Sequence, residues 1–451
     1  MENEYLLGKE KVSKALMKLS LPASIGILVL TLYNVIDTIF VGQIVGPLAI
    51  GGVAVVLPIS MLISTIGMGI GIGGSSLISR QLGAKHYEKA RYTFGTLTVF
   101  VILVGVLTII LGYIFEGPIL SAFGATGDIE SYAKIYFRII LAGSPFLGFG
   151  MMANNVARSE GNSKIAMYSM IFSAVLNTIL DAVFMIVLDM GLAGAAYATL
   201  ISQIAIALYF VWFFNGKKSL LSLSRKYWNL NGAVIKETTA LGSSSFARQG
   251  AASIIAALIN QSLIRYGGEL YVAIYGIIFR VLMFTFFPMI GIVQGFLPLA
   301  GYNYGARNFK RVREVFRYAS IVITAVSIFC FILVEVFSKQ LFEVFTTDSR
   351  LIEDGSPLLQ IIGYSLPLIG FQMVGASYFQ AIGKSIPALL LTLSRQFIFM
   401  IPLIFLLPTY FGLEGVFYSF PLADVISFIV TFLTLIPFWK MLNKEPTITL
   451  V

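Results

Sequence analysis

SLPASIGILVLTLYNVIDTIFVG, residues 20–42, decides the fold class, because this long apolar run carries a single charged side chain, Asp37. A helix needs roughly 20 apolar residues to cross the hydrocarbon of a bilayer. The pattern returns downstream: residues 94–115 carry no charge, and residues 165–188 carry only Asp181. Barrel strands would be about half as long and would alternate apolar with polar positions, which these runs do not. Spanning elements of this kind are helices, which satisfy their own backbone hydrogen bonds where no water can.

Working outward, the chain predicts twelve spans, at about 15–41, 48–79, 92–114, 132–156, 165–188, 192–214, 237–264, 271–304, 314–337, 355–381, 387–408 and 414–439. The composition agrees. The 451 residues are 57% hydrophobic and only 12% charged, too apolar for a water-soluble core to hide. A net charge of +9 raises the question of nucleic acid, but the basic residues follow the spans instead of forming one soluble face. Only Arg265, Lys339 and Arg350 fall in outer connections, while the other connections are basic. That bias predicts both termini in the cytoplasm and a multi-pass protein of the cell membrane. The first run is too long for a cleavable signal and is expected to stay in the membrane. One cysteine, Cys330, and one histidine, His86, leave no material for a disulfide, a metal cluster or a histidine relay, and no enzyme chemistry is expected.

The chain repeats itself. RQLGAKHYEKARYTFG from Arg80 is echoed by YNYGARNFKRVREVFRYA from Tyr302, with Gly83 matching Gly305 at a shift of 222. ARSEGNSKIAM from Ala157 returns as FQAIGKSIPAL from Phe379 at the same shift, and GLAGAAYATL from Gly191 returns as GLEGVFYSF from Gly412 at 221. The expected architecture is an all-α membrane protein of two six-helix lobes in parallel repeat, residues 1–214 and 237–451, joined by a basic cytoplasmic linker at 215–236. The run GMGIGIGG from Gly67 looks like a phosphate loop, but it lies inside a span with no preceding strand, so its small residues are expected to pack helices. Prolines inside spans, Pro22 among them, permit bends.

An ionisable group at mid-membrane costs roughly 2.5 to 3.5 kcal/mol on insertion scales and calls for a partner, water or a function. Asp37 and Asp181 are such groups. Asn177 lies one helical turn before Asp181, and Thr199 adds a hydroxyl at similar depth. Oxygen ligands suit Na+, and paired carboxyls suit a proton. The plain alternative is a hydrogen-bond cluster that pins helices one, five and six. Tyr33, Tyr136, Asn154 and Asn155 are candidates to line a substrate cavity, although lone aromatics in bundles also simply pack. In the C-terminal half, Arg248, Arg280, Arg395 and Asp424 fall in or near spans, and Arg395 is expected to pair with Asp424.

The first run, ISRQLGAKHYEKA from Ile78, ANNVARSEGNSKIAM from Ala153, LNTILD from Leu176 and GLAGAAYATLISQ from Gly191 together resemble the multidrug and toxic compound extrusion (MATE) transporters over the whole length, and within them the DinF/MepA-like branch. The resemblance implies two lobes that open alternately, export of cationic amphiphilic small molecules, and coupling to inward H+ or Na+. It implies a cation site at Asp37, Asn177, Asp181 and Thr199, with Asn154 near the cavity and a first-helix bend at Pro22. No other cofactor and no nucleic-acid partner are implied, and a monomer in contact with membrane lipid is expected. The NorM-like branch uses acids in the seventh and tenth helices, where this chain has Asn260, Gln261 and Gln372, so coupling is expected to rest on the N-lobe. A flippase for a lipid-linked precursor is the alternative within the same superfamily. An intramembrane aspartyl protease built on Asp37 and Asp181 lacks the GxGD setting and leaves the repeat without a purpose.

Overall fold

The computed structural model describes residues 2–444, so the last residues of the expected C-lobe lie outside the described part. The described chain is helical almost throughout and contains no strand. The twelve spanning elements are α1 (Val12–Ile44), α2 (Pro47–Gly83), α3 (Tyr87–Ile114), α4 (Asp128–Ala142 continued by Ser144–Ser159), α5 (Ser163–Asp181) and α6 (Gly191–Asn215), then α7 (Gly232–Tyr266), α8 (Glu269–Gly305), α9 (Phe309–Glu343), α10 (Ser349–Gly363 continued by Leu366–Ala381), α11 from Ser385 and α12 from Gly412. Eight segments are long and apolar enough to span on their own, and the two bent pairs, α4 at 52° and α10 at 45°, raise that to ten. Gly412, in left-handed backbone at φ 57°, breaks the last long run into α11 and α12. The remaining span, α7, is less apolar because it carries Arg248, Gln249, Asn260 and Gln261 along its length.

The repeat is legible in the backbone. α2 and α8 are both 37 residues long and start 222 residues apart. Gly46 and Gly268, Lys85 and Arg307, and Gly161 and Gly383 are left-handed at the same shift, and Gly191 and Gly412 at 221. Lys85 and Arg307 adopt that conformation without glycine's freedom, at a cost of about 1 kcal/mol each, so both turns are held by their surroundings. At ~55 Å, α2 and α8 exceed a hydrocarbon core of about 30 Å and carry their ends into the aqueous layer.

Packing divides the chain into two compact units. One comprises Ile25–Gly242, and the other joins Tyr5–Ser24 to the chain from Ser243 onward. Each unit has its own apolar core, one around Val56, Phe137, Leu141 and Met185, the other around Ile259, Ile278, Leu359 and Phe417. The opening of α1 therefore packs in the second unit, where Ser20 and Ser24 lie against Gly295 and Gly291, and the opening of α7 packs in the first, where Thr238 and Gly242 lie against Gly73 and Gly69. Small residues make both approaches possible.

The glycine run inside α2 packs helices, as its context requires. A side chain at Gly67 would meet Gly148 Cα of α4 at 2.7 Å, and one at Gly71 would meet Met152 Cα at 3.0 Å. The linker is docked as well: Tyr227 and Trp228 close over Gly95 of α3, and Asn229 Oδ1 accepts from Thr96 Oγ1 at 2.5 Å. Replacing Gly67 by Leu is expected to destabilise the protein by roughly 1 to 3 kcal/mol through overpacking. Gly117→Ala, where a Cβ meets nothing within 4 Å, should stay within about 0.5 kcal/mol. Thermal unfolding of both purified variants checks the pair.

Candidate functional site

In the first unit, α1 offers Tyr33 and Asp37 one turn apart, and α5 offers Asn177 and Asp181 with the same spacing. Both pairs face the same place. The carboxyl of Asp37 makes hydrogen-bond contact with that of Asp181. The amide of Asn177 is satisfied when its nitrogen donates to Asp181 Oδ2 at 2.7 Å and its oxygen accepts from the Thr199 backbone N–H at 3.2 Å. Tyr33 and, from α4, Tyr136 bring their hydroxyls within hydrogen-bonding reach of Thr199. Four helices thus contribute six polar side chains to one cluster.

Its burial is deep. Asp181 is fully buried and Asn177 nearly so, while Asp37, Tyr33 and Thr199 are half-buried. Oδ1 of Asp37 and Oδ1 of Asp181 are both buried and have no protein partner. Two carboxyl groups in contact need a proton or a cation between them, since neither carboxylate can donate. Directly after Asp181 the helix widens into a π-helical turn, Ala182–Val187, a local distortion that recurs at functional sites.

The repeat supplies a control for whether the fold itself demands these polar groups. At a shift of 222, or 221 from α6 onward, the counterparts of Tyr33, Asp37, Tyr136, Asn177, Asp181 and Thr199 are Ile255, Ile259, Leu358, Phe399, Leu403 and Phe420. All six take part in the apolar cluster of the second unit. The same backbone positions can therefore be packed with hydrocarbon, and a pinning role alone gives no reason to retain buried carboxyls.

The structure puts the remaining candidates elsewhere. Asn154 donates to the Ala166 carbonyl at 2.9 Å and to Ser169 Oγ at 3.1 Å, tying α4 to α5. Asn155 donates to the Met151 carbonyl at 2.9 Å and packs against Gly71 of α2. Pro22 is buried in the opening of α1, in the second unit. Among the described residues no group of three or more His, Cys, Asp or Glu side chains could hold a metal ion. Arg395 and Asp424 form the expected ion pair, which Ser365 completes by donating to Asp424 Oδ2 at 2.6 Å.

Glu160 is not among the candidates that the sequence suggests, since its position just past a span leaves a carboxylate free to reach water. It is instead 1% exposed, in the turn after α4. Its carboxylate accepts from Ser219 Oγ at 2.9 Å and from the backbone N–H groups of Leu220 and Leu221 at 2.7 and 3.0 Å, fastening the linker to the first unit. The signal was weak: a lone acid beside a glycine turn, with partners about 60 residues away.

A family model, MatE, matches residues 22–183 and 248–406. The multidrug export protein MepA of Staphylococcus aureus (strain MRSA252) is 29% identical over 423 residues, 94% of this chain and 93% of its own. A crystal structure of a MATE protein in complex with MaL6 superposes with a TM-score of 0.92 at 28% identity, covering 98% of this chain and 99% of that one. An outward-facing multidrug resistance MATE family transporter of the MOP superfamily gives a TM-score of 0.92 at 27% identity, covering 99% of both chains.

Burial raises the Glu160 carboxyl to about 7, against the lowering effect of its four hydrogen-bond donors. A carboxyl so raised holds its proton more tightly in the folded chain than in the unfolded one. Its contribution to stability is full below about pH 4.5 and is lost as pH climbs through about 7. The thermal midpoint of the wild-type protein should fall across that window, and Glu160→Gln should flatten the fall. A pH series of melting curves on the two proteins measures the difference.

Proposed function

The chain belongs to the MatE family, and from that premise we propose that it is a secondary active antiporter of the cell membrane, with both termini cytoplasmic, that exports cationic or amphiphilic small molecules by alternating access. The driving reaction is inward movement of H+ or Na+ through the Asp37–Asp181 pair. One observation carries this reading: two contacting carboxyls, each with an orphaned buried oxygen, stand where the repeat puts Ile259 and Leu403. The Asn177 amide favours the proton, since its nitrogen faces Asp181 and its oxygen is engaged by Thr199. Few oxygens are then free to complete the shell that a hard cation requires.

The coupling step follows from placement. Asp37 sits on α1 in the first unit, and the opening of the same helix belongs to the second. Loading the pair with a positive charge relieves repulsion between α1 and α5; releasing it restores that repulsion, and α1 transmits the change along its length. Pro22 lies in the opening of α1, where a missing backbone N–H makes bending less costly. MepA is named a multidrug export protein, which supports small cationic drugs and dyes as the substrate class.

Efflux of a fluorescent cationic dye from reconstituted vesicles, under a proton gradient and a sodium gradient imposed separately, tests the reading. Asp37→Asn and Asp181→Asn should each reduce gradient-driven efflux at least about tenfold while dye still binds. Undiminished efflux in both variants would return the cluster to a structural role. Transfer of a labelled lipid-linked precursor between leaflets, without dye efflux, would instead favour the flippase alternative.

A further inference from the structure

The second unit contains a basic site that the coupling chemistry does not use. Two cavities of about 90 and 230 Å³ share Ile369, Arg395 and Gln396 on their walls. The smaller mixes polar and apolar walls and is lined by Arg248, Gln372, Ser377 and Thr392 as well as Val293 and Leu391. The larger is apolar, walled by Tyr275, Phe279, Phe286 and Phe420. Arg395 stands where they meet.

The charges lining the cavities are Arg248, Arg395 and Asp424, a net of one positive. Asp424 is already satisfied, with Oδ1 held by Arg395 Nε and Oδ2 by Ser365 Oγ at 2.6 Å, and its backbone carbonyl takes Gln372 Nε2 at 2.6 Å. Arg248 is accessible and has no hydrogen-bond or ion-pair partner among the described residues. It lies near the middle of α7, far from the ends where an arginine could snorkel. A cation so placed calls for a counter-charge, and guanidinium groups match carboxylates and phosphates with paired N–H donors.

These charges are not inherited from the repeat. The counterparts of Arg248, Arg395 and Asp424 in the first unit are Gly26, Ser173 and Gln203. The backbone departs from the repeat at the same place: α11 contains a π-helical turn, Ser394–Met400, that carries Arg395 and Gln396, whereas the matching stretch of α5 is α-helical. Such turns re-aim side chains and recur at binding sites. Gln396 Oε1 is left buried without a partner on the shared wall.

We propose that the two cavities form one binding site for an anionic amphiphile, an acid whose carboxylate is held by Arg248 and the free edge of Arg395 while its aromatic or aliphatic body fills the larger chamber. The volumes fit: the smaller holds an acid group and the larger one or two fused rings. The site lies wholly in the second unit and shares no residue with the Asp37–Asp181 cluster, so its test needs no ion gradient and its failure leaves the coupling proposal intact.

Equilibrium dialysis of radiolabelled naphthoate against the full-length protein in lipid nanodiscs, with protein-free nanodiscs subtracted, provides the test. The uncharged naphthamide and the cationic naphthylmethylamine are run in parallel. Naphthoate should bind saturably and at least about tenfold more tightly than either analogue. Arg248→Gln should weaken naphthoate at least about tenfold and leave naphthamide unchanged, Arg248→Lys should retain part of the preference, and Phe279→Ala should weaken both ligands. Thr392→Glu, which sets an acid in the smaller chamber and leaves Arg248 in place, should abolish naphthoate binding even if Arg248→Gln fails to fold. Equal affinity for acid and amide, a preference for the amine, or naphthoate binding that survives Thr392→Glu would overturn the proposal.

Discussion

Two carboxyl groups that touch inside a membrane protein cannot both be left as bare anions, and the first unit is arranged around that constraint. Water would normally screen such a pair, but Asp181 is fully buried and the inner oxygens of both acids lack protein partners. The surrounding groups do not cancel the charge: Asn177, Thr199, Tyr33 and Tyr136 are neutral, and they orient the carboxyls without supplying a counter-charge. Left as anions, the two carboxyls would be uncompensated, and a proton shared between them or a cation beside them resolves the repulsion.

Duplication explains how a chain can keep such a site. Both halves carry a 37-residue second helix and the same left-handed turns, so the scaffold is maintained twice. With the backbone secured, the two interiors have been free to diverge. One holds acids where the other holds isoleucine, leucine and phenylalanine, and the second holds arginines where the first holds glycine and serine. Each half distorts its own helix into a π-helical turn beside its own charged groups, not at matching positions. The paired acids thus lie in the first unit and the two cavity arginines in the second.

The openings of α1 and α7 pack in the opposite unit from the rest of each helix. α1 begins in the second unit and finishes in the first, and α7 does the reverse. The contacts at those openings run through Ser20, Ser24, Gly291 and Gly295, and through Gly69, Gly73, Thr238 and Gly242, where backbones approach closely and little side-chain interdigitation has to be undone. The linker, by contrast, is fastened to the first unit through Glu160, Tyr227 and Asn229.

The sequence by itself determined the twelve spans, the repeat and the acidic residues of interest, because hydrophobic run length and a fixed shift are one-dimensional signals. It also marked Asp37, Asn177, Asp181 and Thr199 as one group, since charge at membrane depth and a one-turn spacing are visible in a string. Depth along a helix says nothing of azimuth, however, and so it could not separate Tyr33 and Tyr136, which join the cluster, from Asn154, whose amide is spent on α5, and Asn155, whose amide turns back to its own helix. Nor could it reveal Glu160 under the linker, the exchanged openings of α1 and α7, or the cavity beside Arg395, for each depends on residues far apart in the chain arriving at one point. Those were decided by packing, which alone fixes which face of each helix meets which neighbour.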